Sequence, residues 1–403
     1  MEYSQYAVKQ INSTDFASKK LIMEEIIRIT ANPFKGNLPV DVFVNVGLDQ
    51  AEKSTDAWQQ FYLLDQLSEE TGIACSLRIF YKKGNMDNFN LLIGNVHTNP
   101  KYRRRGLLRY LISECIKKYE TEGYHFLNKS SDNLECDKFL GENIRKKKYN
   151  YYWTLYSGVS DLYAKFGFES FPGMNWLTLN IQIKNISKSA ADLSKEHRDL
   201  ALLNITSDNV ADIDRFIVYP KYLSYRDTEN AKFQRSTSYE SSLIRAFLNR
   251  DNTVYSNFGI HKRTIGLRIL HPLLEKETFV IIGSNIDYSG VLVHKLFTDL
   301  SVTIEPEIVT QDLALIENYL KQTIFEYSFD LFINLEKIPI SLSVQDIYTK
   351  DKETHNFIVQ RLAKNEWAYD DSNKNFLPMM KDFGRNGVAD EVEWINNGFW
   401  CFG

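Results

Sequence analysis

The chain has 403 residues, a nearly balanced 48 Lys and Arg against 52 Asp and Glu, and four scattered cysteines. This length is too great for one ordinary core, so we expect two domains. The balanced charge argues against a nucleic-acid partner or a membrane-surface protein, so any phosphate site has to be local. Cysteines without a CxxC pair favour reduced thiols and no metal site. With no apolar segment near the roughly 20 residues that span a bilayer, we expect a soluble protein of the cytoplasm or nucleus.

The first hundred residues predict strands that alternate with helices. A strand is expected over Tyr3–Asn12, and a helix follows whose apolar stripe contains Ile22, Ile26 and Ile29 and which Pro33 ends. The next elements are predicted from apolar runs and turn residues: a strand at Val40–Val44, a helix at Trp58–Leu67, strands at Ile73–Lys83 and Asn88–Thr98, and a turn between these at Gly84-Asn85.

The clearest amphipathic helix begins at Gly106 and runs to about Tyr119. The polar residues 128–149 are expected to form an inserted helix and loops. They are followed by a strand at Tyr152–Tyr156, a helix at Val159–Phe166 closed by Gly167, and a strand at Trp176–Ile183.

A polar segment, Lys184–Asp199, marks the expected boundary between a first domain, residues 1–184, and a second domain, residues 185–403. The second half carries the patterns of both strands and helices. Strands are predicted at Phe279–Ile286, Val291–Phe297 and Leu331–Leu335, and a helix at Asp312–Ser328. The second domain is therefore also expected to mix α and β elements.

A basic turn joins the strand that ends at Thr98 to the helix that follows Gly106. A helix start presents unpaired backbone NH groups and a partial positive charge, which suit a pyrophosphate. Gly106 has no Cβ and allows close approach to phosphates, while Arg103, Arg104 and Arg105 add charge. A basic turn of this kind is also common without a ligand. The sequence contains no GxxxxGK[ST], no GxGxxG after a strand and no HExxH, so the motifs for nucleoside triphosphates, dinucleotides and zinc proteases are absent.

Two sequence blocks resemble the GNAT superfamily of N-acetyltransferases. Arg103-x-x-Gly106, preceded by Val96-x-Thr98-x-Pro100, is similar to its acetyl-CoA signature, and the segment 155–168, with Tyr163-x-x-x-Gly167-Phe168, is similar to its later strand and helix. The resemblance implies an α/β (α+β) fold with a GNAT-like mixed central sheet flanked by helices. The second α+β domain would then select the substrate or be GNAT-like itself.

A narrower resemblance points to fungal lysine acetyltransferases. It is carried by Leu155-Tyr156-Ser157 with Tyr163, and by the pairs Glu393-Trp394 and Trp400-Cys401 near the other end of the sequence. Two positions depart from the patterns: Leu108 stands where the superfamily usually has Gly or Ala, and Gly158 stands where an Asp commonly follows the Tyr-Ser pair. The first departure bears on cofactor affinity and the second on the acceptor.

The resemblance assigns acetyl-CoA as cofactor and gives roles to individual residues. Tyr163 corresponds to the general acid, with a packing residue as the alternative. A carboxylate base would fall at Leu92, which cannot serve, so His97 is the candidate base; a structural His, a carboxylate of Glu391, Glu393 or Gly403, or proton loss through water are the alternatives. The residues expected to bind the cofactor are Val96, His97, Thr98, Arg103, Arg104, Arg105, Gly106, Leu107 and Leu108.

The sequence therefore predicts an acetyl-CoA-dependent N-acetyltransferase that acts on a primary amine, such as lysine or a lysine side chain, by direct transfer. Its partners would be a small-molecule amine or a protein lysine. The alternative is a non-catalytic GNAT-fold regulatory or interaction protein with weak or no CoA binding. Transfer of longer acyl groups is a third hypothesis, and the oligomeric state is not predicted.

Overall fold

A computed structural model describes residues 3–36, 38–54, 57–83, 89–122, 151–171, 175–182, 200–206, 209, 233–236, 241–259, 264–285, 290–327, 336–370, 377–382 and 392–395. The helices, in chain order, are α1 (Lys20–Phe34), α2 (Val40–Lys53), α3 (Leu107–Glu122), α4 (Ser160–Ala164), α5 (Ser241–Asn257), α6 (Pro306–Tyr327) and α7 (Lys352–Lys364). Short 3₁₀ turns occur at Ser13–Lys19, Pro100–Tyr102 and Val344–Asp346.

The strands are β1 (Tyr6–Asn12), β2 (Trp58–Asp65), β3 (Ile73–Lys83), β4 (Phe89–Thr98), β5 (Tyr151–Ser157), β6 (Glu169–Ser170), β7 (Trp176–Gln182), β8 (Ala201–Ile205), β9 (Phe233–Ser236), β10 (Gly266–His271), β11 (Lys276–Ser284), β12 (Val291–Thr298), β13 (Lys337–Ser343), β14 (Ile347–Tyr348), β15 (Ala368–Asp370), β16 (Leu377–Asp382) and β17 (Val392–Ile395). No helix within the described ranges has the length and apolar character needed to cross a membrane.

Two element predictions are wrong. The expected strand at Val40–Val44 is the start of helix α2, in which Val44, Leu48 and Ala51 are buried at helical spacing. The expected helix at Trp58–Leu67 is strand β2, whose first six residues are all buried because β1 and β3 flank it and both of its faces are covered. A strand covered on both faces shows no alternation, and periodicity alone does not separate it from a buried helix.

Most of the other predicted elements lie where the sequence places them, within about six residues. Strands β3, β4, β5, β7, β11 and β12 and helices α3 and α6 are confirmed. Helix α4 is shorter than expected and is followed by Gly167 with a positive φ of 82°. Strand β1 starts at Tyr6, and α1 continues through Pro33 to Phe34. The expected Gly84-Asn85 turn, the inserted residues 128–149 and the strand at 331–335 lie outside the described residues.

The first sheet has seven strands in the order β1-β2-β3-β4-β5-β16-β6. Strands β4 and β5 are parallel, and every other neighbouring pair is antiparallel. Helix α3 packs on one face, where Leu111 and Ile112 join a core with the inner residues of the sheet. Helices α1 and α2 cover the opposite face of β2 and β3 around Trp58. This layered arrangement positions the β4–α3 connection at the edge of the core.

The second sheet repeats the topology of the first. Its order is β8-β10-β11-β12-β13-β7-β15, with β14 added beside β12. The only parallel pairs within this described sheet are those that β12 makes with β13 and β14, and β12 and β13 correspond to β4 and β5. Helix α6 follows β12 as α3 follows β4. The expected class, a mixed central sheet flanked by helices with a second C-terminal α+β unit, is confirmed, and the second unit is a topological copy of the first.

Each half gives one strand to the sheet of the other half. Strand β7, from the first half, pairs with β13, and strand β16, from the second half, pairs with β5. Helix α2 also packs against α5, where the Thr253 hydroxyl donates to Asp49 Oδ2 at 3.0 Å. The predicted boundary segment lies outside the described residues, but the sheets on either side of it are interlocked.

Candidate functional site

Strands β4 and β5 separate before either one ends. Their parallel pairing runs from Phe89 opposite Tyr151 to Ile93 opposite Leu155 and does not continue. Strand β4 proceeds to Thr98 beside β3, while β5 proceeds to Ser157 beside β16. Within the described structure, the side of β4 from Gly94 to Thr98 that faces β5 therefore pairs with no strand. Such an open backbone edge can accept an extended ligand as an added strand.

A bulge in β4 accounts for the separation. Ser76 of β3 lies opposite His97 and Arg78 lies opposite Gly94, so Asn95 and Val96 together face one residue of β3. Asn95 adopts a positive φ of 51°, which Asn tolerates better than most residues. A bulge bends and twists its strand. This bend directs the last residues of β4 away from β5, and the predicted contact residues Val96, His97 and Thr98 lie on that stretch.

The β4–α3 turn ends in a helix start with free backbone donors. Gly106 has a positive φ of 74°, and α3 begins at the next residue. The first hydrogen bond of the helix runs from the Tyr110 NH to the Gly106 carbonyl, at 3.1 Å. The NH groups of Leu107 and Leu108 therefore have no partner within the helix. Leu107 is buried in the core beneath α3, and the half-buried Leu108 packs against that core. The two backbone NH groups are therefore available to a ligand at this helix start.

Three arginines surround this helix start. Arg103, Arg104 and Arg105 are exposed and form no ion pair within the described part of the chain. Arg103 Nε donates to the Thr98 carbonyl at 3.4 Å, and the Arg105 guanidinium lies over the Tyr102 ring, 5.4 Å from its centroid. These contacts leave the charges uncompensated. Together with the helix dipole they make the turn a favourable place for a phosphate group.

Tyr163 lies in α4, just beyond the end of β5. Its ring is 5% exposed and packs edge-on against Phe168, with 6.1 Å between ring centroids. Burial raises the pKa of Tyr163 to about 12. Its hydroxyl makes no hydrogen bond among the described residues. The residue thus packs in the core, and its hydroxyl is protonated at neutral pH, as a general acid has to be.

His97 is buried on the face of the sheet covered by α1. Phe34, at the end of α1, packs edge-on against its ring with 6.3 Å between centroids. Its Nε2 atom has no hydrogen-bond partner in the described structure. Burial, and to a lesser degree the charge of Arg103, lower the pKa of His97. The neutral ring is therefore favoured at physiological pH, and a base has to be neutral to accept a proton.

The described geometry does not test the carboxylates considered as bases, which stay alternatives to His97. Position 92 of β4 is a buried leucine, which cannot act as a base. Glu393 lies on β17, which pairs with β9 in a separate two-stranded sheet. Glu391 and Gly403 lie outside the described residues, as do Trp400 and Cys401.

The equivalent opening in the second sheet is filled by the chain itself. Strand β12 leaves β13 after Val293 opposite Leu342, and β14 then takes its place, with Ile347 opposite Leu296 and Tyr348 opposite Phe297. The separating ends of β4 and β5 leave a wedge-shaped gap in the first sheet. The equivalent wedge in the second sheet is closed by β14. No extended ligand can pair with β12 there unless β14 is displaced.

The turn before α6 also differs from its counterpart before α3. It carries Asp299 and Glu305 where the first half has arginines. Asp299 Oδ1 accepts from the Glu277 NH at 2.7 Å, Glu305 Oε2 accepts from the Ser301 NH at 3.1 Å, and Glu305 is paired with Lys276. Carboxylates at a helix start repel phosphate. The open edge and the cationic turn thus coincide only in the first half of the described structure.

The protein is similar in structure to several solved structures. No protein-family model and no curated protein matches the sequence. A tandem GNAT protein from the clavulanic acid biosynthesis pathway is 10% identical over 94% of this chain and 99% of that chain, with a TM-score of 0.47. A probable N-acyltransferase from Enterococcus faecalis is 9% identical over 94% and 73%, with a TM-score of 0.47. A GCN5-related N-acetyltransferase from Anabaena variabilis is 13% identical over 93% and 72%, with a TM-score of 0.44.

These likenesses concern the fold. With TM-scores below 0.5 and identities of 9 to 13%, they carry no conclusion about the activity of this chain. The narrower resemblance to fungal lysine acetyltransferases stays a prediction, and so do the roles of the individual site residues.

Proposed function

We propose that the protein is an acetyl-CoA-dependent N-acetyltransferase whose donor binds in the first half of the chain. One observation carries the proposal: the open edge of β4 at Gly94–Thr98 leads directly into a helix start with three unpaired arginines. Acetyl-CoA has an extended pantetheine arm followed by a pyrophosphate. The strand edge would hold the arm, and the helix start would hold the pyrophosphate. In the second half the strand edge is occupied by β14 and the turn before α6 carries carboxylates, which favours a single donor site.

The residues of the first half suit the donor in distinct ways. The backbone of Val96, His97 and Thr98 would pair with the amide groups of the pantetheine arm, as an added strand does. The NH groups of Leu107 and Leu108 would hold the pyrophosphate, and the packing of the half-buried Leu108 side chain against the core favours this. Arg103, Arg104 and Arg105 would neutralise the phosphate charges.

When bound, acetyl-CoA supplies the acetyl group, which joins the amine nitrogen as the carbon–sulfur bond breaks, the amine loses a proton and the sulfur gains one. Tyr163 would give the proton to the sulfur, since its hydroxyl is protonated at neutral pH. His97 would receive the amine proton directly or through water, since its ring is neutral. The backbone edge of β4 would orient the thioester toward the amine.

The finer parts of the proposal come from the sequence resemblance. They are a primary amine as acceptor, with lysine or a lysine side chain first, and a cytoplasmic or nuclear location. The free thiols of Cys75 and Cys115 suit a reducing compartment. A second candidate is a non-catalytic protein that keeps the fold. It is favoured by Leu92, which stands where a catalytic carboxylate would be expected.

Calorimetric titration with acetyl-CoA and CoA tests the proposal. The Gly106→Glu variant places a carboxylate and a strained side chain at the turn, and should abolish binding. Gly259→Glu is a matched control, because Gly259 has a similar φ of 75° and a Cβ added there would meet no described atom within 4 Å. Binding that only Gly106→Glu removes, followed by CoA release with an amine from a screen that begins with lysine, would support the enzyme. Donor binding without turnover on any free or peptide-linked amine would favour the non-catalytic candidate, and no binding to the intact chain would overturn the donor site.

A further inference from the structure

Tyr3 places a hydroxyl group at the helix start of the proposed donor site. A Cβ atom added to Gly106 would lie 3.0 Å from Tyr3 Oη. Gly106 is the last residue before α3, so this hydroxyl lies next to the residue that precedes the free backbone donors of the first turn. Glycine is thus favoured at this position by its backbone conformation, and an added Cβ would also contact Tyr3 tightly. Nothing in the sequence marks Tyr3, because it is far from the turn along the chain.

The position of the Tyr3 ring is set by its packing. It stacks on Tyr110, with 4.5 Å between ring centroids and 15° between ring planes. Tyr110 follows Gly106 by one helical turn and lies on the same side of α3. The Tyr3 carbonyl also accepts from the Tyr6 NH at 2.9 Å, at the start of β1. Ring and backbone are therefore both held, and the hydroxyl is directed toward the start of α3.

The hydroxyl is available as a donor. Tyr3 is half-buried, and its hydroxyl makes no hydrogen bond among the described residues. The charged side chains of the turn are Lys101, which is paired with Glu70, and the unpaired Arg103, Arg104 and Arg105. All four are cations and offer the hydroxyl no acceptor. A hydroxyl beside cations and backbone donors is best satisfied by an anionic oxygen.

We propose that Tyr3 is a further cofactor-binding residue, whose hydroxyl donates a hydrogen bond to a phosphate oxygen of CoA at the start of α3. This inference rests on the proposed function. The phosphate belongs either to the pyrophosphate or to the 3′-phosphate of the cofactor. Both present the same chemistry to a phenol hydroxyl, and the experiment separates them.

The test compares Tyr3→Phe with the unaltered full-length chain by titration with CoA and with 3′-dephospho-CoA. Phenylalanine keeps the stack on Tyr110 and removes only the hydroxyl. A hydrogen bond to a charged group predicts CoA affinity about tenfold weaker. Weakening with both ligands assigns the bond to the pyrophosphate, and weakening with CoA alone assigns it to the 3′-phosphate. Tyr110→Phe, which removes the other hydroxyl of the same stack, is the matched control and should stay within about twofold.

The two proposals fail in different ways. If the unaltered chain binds CoA and Tyr3→Phe binds it with the same affinity, the role of Tyr3 is overturned while the donor site stands. If the unaltered chain does not bind CoA, both are overturned. Equal weakening in Tyr3→Phe and Tyr110→Phe would assign the effect to the stack and would also overturn the hydrogen bond.

Discussion

Met379 lies directly opposite Leu155 in the antiparallel pair formed by β16 and β5, although the two residues belong to opposite halves of the chain. Met379 is buried in the same core as Tyr163. Strand β5 leads into α4, and the strand on the other side of β16 is β6. The part of the first half that carries the proposed acid is therefore completed by a strand from the second half.

This exchange predicts that the first half cannot function alone. A fragment of residues 1–190 lacks β16 and leaves the inner edges of β5 and β6 unpaired, which exposes strand edges to aggregation. We expect it to be insoluble or unable to bind CoA, and co-expression with residues 191–403 to restore a soluble complex that binds CoA. Size-exclusion chromatography and calorimetry measure both properties. A soluble 1–190 fragment with the affinity of the full chain would contradict the prediction.

Removal of the Tyr163 hydroxyl should affect turnover and not donor binding. For Tyr163→Phe we expect kcat to fall by about 10²-fold, the lower range for loss of a general acid, with CoA affinity unchanged. Because burial raises the pKa of Tyr163 to about 12, its ionisation should not reduce the rate of the unaltered enzyme up to about pH 10. Steady-state rates of CoA release measure the effect, and Tyr62→Phe, in the core of the opposite sheet face, is the control. Unchanged turnover would show that Tyr163 is a packing residue.

The closed wedge in the second half predicts one donor site per chain. Strand β14 occupies the edge of β12, and the turn before α6 carries carboxylates that already have partners. Titration with CoA should therefore give a single site per chain. The Gly106→Glu variant should leave no residual binding, because its second half offers no substitute. Two sites per chain, or weaker binding that persists in this variant, would show that β14 can be displaced.

The pKa of His97 predicts a change in stability with pH. In the unfolded chain its pKa is about 6.5, and burial lowers it in the folded chain. Above about pH 6.5 both states are neutral and His97 has no effect. As the pH falls from there toward the folded pKa, the unfolded state takes up the proton first, so the free energy of unfolding falls by up to about 1.4 kcal/mol per pH unit.

Urea unfolding on either side of the ordinary histidine pKa, at about pH 7.5 and about pH 5.5, measures this effect. The loss of stability between the two values should be smaller in His97→Gln than in the unaltered chain. His355, whose pKa is also lowered by burial, is present in both proteins and serves as an internal reference. An identical loss in both proteins would mean that His97 takes up its proton equally in the folded and unfolded states.

The local part of the candidate site was predictable from the sequence. Strand β4, the turn through Arg103 to Gly106 and helix α3 form one contiguous segment, whose backbone preferences and charges are encoded within it. The same holds for β5 and the helix that carries Tyr163. In contrast, α2 and β2 were assigned to the wrong class. Their apolar runs suit either structure, and the choice was made by packing of α2 on α1 and by enclosure of β2 between two strands.

Contiguous residues of this chain thus determined the basic turn, the amphipathic α3 and the order of most strands and helices of the first half, because turn conformations and helical periodicity depend on near neighbours. The tertiary structure alone decided the exchange of β7 and β16, the closure of the second wedge by β14 and the placement of Tyr3 beside Gly106. These features join segments that are distant along the chain. Strand partners and side-chain contacts of this kind are selected by shared burial and by the pairing of backbone edges. A local sequence pattern does not predict them.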